Sequence, residues 1–64
     1  MRETYVLKLN YIDVVEEHFY DTHEEAVEIL KDLLMYYSNY ETMQVIKIVL
    51  GVPTILYTIV NHQK

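Results

Sequence analysis

Residues 45–60, VIKIVLGVPTILYTIV, constrain the fold of this chain more than any other stretch. Ten of these sixteen residues are Val, Ile or Thr, whose branched β-carbons lose rotamer freedom in a helix and pack well on a pleated surface. The only glycine and the only proline of the chain, Gly51 and Pro53, fall in its middle. The pattern predicts two strands, 43–50 and 54–60, around a turn at Gly51-Val52-Pro53. The same run is too short for the ~20 apolar residues of a membrane-spanning helix and is broken at its centre, so no membrane association is expected.

These two strands are apolar on both sides. In the first, Ile46, Ile48 and Leu50 alternate with Met43, Val45, Lys47 and Val49; in the second, Ile55, Tyr57 and Ile59 alternate with Leu56, Thr58 and Val60. A sheet with one solvated face shows apolar residues on one side only, so a second cover is required. If one helix covers one face, Val45, Val49, Leu56 and Val60 remain on the other. A contiguous apolar patch of that kind is rarely left exposed, and these four residues are the expected interface of a homo-oligomer, most simply a homodimer.

Upstream, Tyr5, Leu7, Leu9 and Tyr11 alternate with Val6, Lys8, Asn10 and Ile12, which predicts a strand over 4–12 with one wholly apolar face. Residues 14–20, VVEEHFY, keep a β-rich composition, and Asn10 and Asp13 are the turn formers between the two runs. A hairpin follows, since strands average only ~5–6 residues. Thr22 with Glu25 three residues on is the sequence of a capping box. Behind it Ala26, Ile29, Leu30, Leu33, Leu34 and Tyr37 recur at helical spacing, with Glu28, Lys31 and Asp32 opposite, giving a helix from His23 to Ser38. The order is β-β-α-β-β: one α+β domain over residues 1–64, a helix on a four-stranded antiparallel sheet in two layers. A three-stranded sheet with 14–20 irregular is the alternative.

Composition limits the chemistry. A 64-residue chain hides only ~60% of the surface its unfolded form exposes, which leaves little room for an enclosed pocket. There is no Cys, hence neither a disulfide framework nor a thiolate metal site. The start of the chain lacks the apolar run of a secretory signal, and a cytoplasmic location is expected. His18, Asp21 and His23 with a neighbouring Glu are candidate metal ligands. They lack the i, i+4 histidine spacing of a zinc helix, and no metal is expected. Glu16 and Glu24 are a candidate carboxylate pair, but acid/base work needs a site that drives two pKa values apart; no phosphate loop or triad accompanies them. No catalytic residues and no cofactor are assigned.

Charge is the remaining signal. Residues 13–32 hold Asp13, Glu16, Glu17, Asp21, Glu24, Glu25, Glu28 and Asp32 against Lys31, a net of −7, while the other 44 residues sum to +2, making the total of −5. Direct nucleic-acid binding is disfavoured, because phosphates are met with Lys and Arg. A basic protein, including one that itself binds nucleic acid, is the natural complement. Seven tyrosines suit a binding surface, since Tyr combines a rigid ring with a polar tip; Tyr36 and Tyr40, near the helix end, are the expected contacts, with Tyr20 a further anchor. The expected function is a non-enzymatic binding module, an inhibitor or adaptor encoded by a virus or mobile element. It presents Glu16, Glu17, Asp21, Glu24, Glu25, Glu28, Asp32, Tyr36 and Tyr40 to its partner. A structural homo-oligomer through strands 43–60 and a small-ligand-binding oligomer are the alternatives, and a solvated acidic face that only keeps the protein soluble explains the charge equally well.

Overall fold

A computed structural model describes residues 3–36 and 39–61. Its elements are β1 (Glu3–Asn10), β2 (Val15–Tyr20), α1 (His23–Tyr36), β3 (Thr42–Val49) and β4 (Val52–Val60). The four strands form one antiparallel sheet in the order β2-β1-β3-β4, with α1 across one face. The expected β-β-α-β-β two-layer arrangement is therefore the fold. No helix among the described residues is long and apolar enough to cross a membrane.

The helix begins where local chemistry places it. The Glu25 N–H donates to Thr22 Oγ1 at 3.2 Å and the Thr22 hydroxyl donates to Glu25 Oε1 at 3.1 Å. The carboxylate thus accepts from the hydroxyl, a variation on the capping box. Ala26 and Leu30 are buried against the sheet and Leu33 packs beside them. This stripe meets Tyr5, Leu7 and Leu9 of β1 and Met43 and Val45 of β3, the core of the molecule. The part of the expected helix at Tyr37 and Ser38 lies outside the described residues.

Pairing decides which strand face the helix covers. Tyr5, Leu7 and Leu9 stand opposite Lys47, Val45 and Met43, and directly paired residues in an antiparallel ladder share a face. Val45 is consequently fully buried under α1. The Ile46–Ile48 side, paired with Val6 and Thr4, is the uncovered one.

The turn between β3 and β4 is Leu50-Gly51, closed by the Val49–Val52 pair. Both turn residues have positive φ, 52° and 78°, the conformation that lets a two-residue loop follow the twist of its strands. Val52 and Pro53, expected in the turn, are instead the first residues of β4. Proline is tolerated there because β4 is an edge strand. A register shift follows: Ile46 faces Ile55 while Val45 faces Tyr57, so Leu56 is the extra residue of a β-bulge. The bulge reverses the alternation, leaving Ile55 on the open side and Tyr57 and Ile59 on the helix side.

These two features correct the expected oligomer interface. Val45 is buried under the helix, Leu56 packs against the core, and Val49 pairs with Glu3 on the helix side; only Val60 lies on the open face. The first hairpin turns through Tyr11–Val14, where the Tyr11 N–H donates to the Val14 carbonyl at 2.8 Å.

Candidate functional site

Three groupings of side chains offer chemistry. The first lies at the start of the helix. Lys47 Nζ stands 3.1 Å from Glu3 Oε2, and the Tyr5 hydroxyl donates to Glu3 Oε1 at 2.9 Å. The His23 ring meets Tyr5 edge-on with centroids 5.7 Å apart, and its Nε2 is 3.1 Å from the Tyr57 hydroxyl. The hydrogen bond from Lys47, followed by that from Tyr5, holds the Glu3 carboxyl below the usual carboxylate range. The bond to Glu3, followed by desolvation, raises the Tyr5 phenol, and Glu3 likewise raises the Lys47 ammonium. Each group is already engaged by its neighbour. What the cluster does physically is pin the first turn of α1 and the start of β1 to β3 and β4.

Among the described residues no three His, Asp, Glu or Cys side chains come together as metal ligands. His18 is on β2, opposite Leu7, and its Nε2 lies 3.5 Å from Glu16 Oε1, both at the surface. His23 is occupied with the two tyrosines.

The second grouping is acidic. Glu24, Glu28 and Asp32 are exposed on the outer side of α1, and no ion pair joins them to a cation among the described residues. Successive members stand one helical turn apart, a spacing of ~6 Å. Glu25, Asp21 and Glu16 are exposed nearby on the helix side of the molecule. Glu17 is separated from them: it pairs with Lys8 on the opposite, uncovered face, because adjacent strand residues point to opposite sides. Tyr36 is 77% exposed at the end of α1. Tyr40, by contrast, packs against the core, as does Tyr20, and its carbonyl accepts from Asn61 Nδ2 at 2.8 Å. Tyr40 and Tyr20 are thus both half-buried at the edge of the core.

The third grouping is the uncovered sheet face, which is organised in rows across the strands. Phe19, Val6, Ile46 and Ile55 form one row, with Thr4, Ile48 and Pro53 beyond it. Glu17, Lys8, Gln44 and Thr58 form the next row. Val6 is only 3% exposed although no helix covers it, since its cross-strand neighbours shield it; it is the floor of a shallow apolar depression lined by Phe19, Ile46, Ile48, Pro53 and Ile55. Phe19 and Ile55, on the two edge strands, are exposed. In the polar rows Asn10 Nδ2 donates to Thr42 Oγ1 at 2.8 Å and Gln44 Nε2 to Thr58 Oγ1 at 3.4 Å.

Sequence periodicity does not single out Val6 and Phe19 as members of a surface patch, because the residues two positions away that share their strand faces, Thr4 and Lys8 for Val6 and Glu17 for Phe19, are polar. The signal that identifies them is pairing, which is not local in sequence. Comparison of the chain with protein-family models, with curated proteins and with solved structures finds no significant match.

Proposed function

We propose that this chain is a non-enzymatic protein-binding module of the cytoplasm that docks a basic protein through the outer side of α1, acting as an inhibitor or adaptor. The observation that carries the reading is the row Glu24, Glu28 and Asp32: three exposed carboxylates in one line, without cationic partners among the described residues, on an element rigidly capped and buried on its other side. Uncompensated charge on a rigid element steers a partner of opposite sign and fixes its register. Tyr36 at the end of that line supplies a rigid aromatic contact. The carboxylate spacing of ~6 Å is close to that of phosphates along a nucleic-acid strand, so a partner whose basic groove ordinarily holds nucleic acid fits this side well.

The test is affinity capture from the native cell with the wild-type chain and with the triple variant Glu24→Lys, Glu28→Lys, Asp32→Lys. These side chains contribute nothing to the core, so circular dichroism of the variant stays that of the wild type. A basic protein retained by the wild type, released by salt well above physiological strength and absent from the variant supports the reading. Retention indifferent both to reversal and to salt refutes it.

A further inference from the structure

We infer that the uncovered sheet face is a self-complementary surface that takes a second copy of this chain, forming a face-to-face homodimer with the two helices outermost. This inference is independent of the acidic docking reading, since it concerns the opposite side of the molecule. It differs in its residues from the interface expected from sequence: Val6, Phe19, Ile46, Ile48, Pro53 and Ile55 are at its centre, and Val45 and Leu56 are excluded by the helix.

Charge argues for a second copy as the occupant. The chain carries −5 overall, yet the depression on this face contains one cation and one carboxylate, Lys8 and Glu17, which are cross-strand neighbours in the ladder of β1 and β2. Two molecules that repel through their helix sides thus meet here on locally neutral ground. A strongly basic or acidic partner finds no such selection on this face. A two-fold axis along the strands lays each row on its own copy in reversed order, placing Glu17 over Thr58 and Lys8 over Gln44, so that like charges do not meet.

Area sets how strongly that occupant is held. Four strands at ~4.8 Å spacing and about seven residues at ~3.4 Å rise give a flat footprint of roughly 450 Å² per copy, or roughly 900 Å² in total before corrugation is counted. This falls just short of the ~1,000 Å² that stable specific interfaces clear, so the dimer is of the weak, reversible class. Its central row, Phe19, Val6, Ile46 and Ile55, is wholly apolar, and in the polar rows Asn10 and Gln44 are bonded to Thr42 and Thr58. Two packed sheets of this kind repeat the arrangement of a β-sandwich, with inner faces ~10 Å apart.

Sedimentation equilibrium over a micromolar concentration series decides the matter for the wild type, Ile55→Lys and the control Met35→Lys on the exposed side of α1. The expected result is a reversible species of twice 7.7 kDa for the wild type and the control, and a dissociation constant raised at least ~100-fold by Ile55→Lys, because a two-fold interface counts each substitution twice. Should Ile55→Lys lose its far-ultraviolet signature, Ile55→Thr keeps the branched β-carbon and is expected to weaken the dimer in the same direction. A wild-type monomer throughout the series overturns the inference. So does a dimer that the folded Ile55 variants leave unchanged, which points to pairing through a strand edge instead.

Discussion

Leu50 occupies a backbone conformation that its side chain does not favour, and replacing it with Asn stabilises the protein. With φ at 52°, Leu50 is in the left-handed region, where an L-residue with a β-carbon pays roughly 1–2 kcal/mol. Asn tolerates this region because its short polar side chain bonds to nearby backbone, and Asn-Gly is the preferred pair for a two-residue hairpin loop. The side chain given up is worth little: Leu50 is 83% exposed, so the remaining burial represents at most about 0.5 kcal/mol of the ~1.5–3 kcal/mol for a fully buried leucine. The net gain for Leu50→Asn is about 0.5–1 kcal/mol, which in a domain of this size corresponds to a rise in Tm of ~2–8 °C. Leu50→Gly gains less, because glycine is also freer in the unfolded chain. Thermal unfolding at one fixed protein concentration reads both, a fixed value being needed wherever association contributes to Tm. A lower Tm for Leu50→Asn refutes the reasoning, and shows that the leucine side chain makes a contact worth more than the strain of its backbone.

Other outcomes follow from the same geometry. Gly51→Ala is expected to cost about 1 kcal/mol in urea unfolding through its positive φ, even though an added β-carbon meets nothing within 4 Å. Thr22→Ala removes the acceptor of the Glu25 N–H and is expected to cost ~1 kcal/mol; an unchanged midpoint argues that the cap contributes nothing to stability. The pH dependence has a definite sign at Glu3, whose folded pKa is lowered by Lys47 and Tyr5. Its contribution is present above the unfolded carboxylate pKa of ~4.3 and is lost as pH falls through the folded value. Glu3→Gln accordingly flattens the acid limb of a Tm–pH profile relative to wild type, and identical limbs for the two proteins contradict that assignment.

What the sequence discloses about this fold is what local chemistry determines. The alternation of Tyr5, Leu7 and Leu9 marks a strand with an apolar face, and Thr22 with Glu25 and the Ala26–Leu30–Leu33 spacing mark the helix, because each depends on residues a few positions apart. The outward position of Glu24, Glu28 and Asp32 is legible for the same reason. Pairing is different. Whether Val45 or Ile46 lies under the helix depends on which residues β1 places opposite them and on the length of the β3–β4 loop, both set by tertiary contacts. Leu50-Gly51 is a weak turn signal beside Pro53, and the bulge at Leu56 has none, so the expected alternation beyond it is reversed. Glu17 is misassigned to the acidic side by proximity in sequence to Glu16, although a strand sends neighbours to opposite faces. Tyr40 shows the same limit, because a tyrosine after a helix is as able to fill a core edge as to meet a partner, and only tertiary packing sets it against the core.

The choice of face at β3 carries the rest, since it determines which surface is free to bind. The absence of native cysteine allows a direct measurement with two single-cysteine variants, Val45→Cys and Ile46→Cys, by thiol modification rates under native conditions. At high dilution the residue-46 thiol is predicted to react at least ~10-fold faster than the residue-45 thiol, whose position opens only through rare unfolding events. Rising protein concentration is predicted to slow residue 46 as the sheet faces meet, and to leave residue 45 unchanged. Equal rates, or a faster thiol at residue 45, contradict the account.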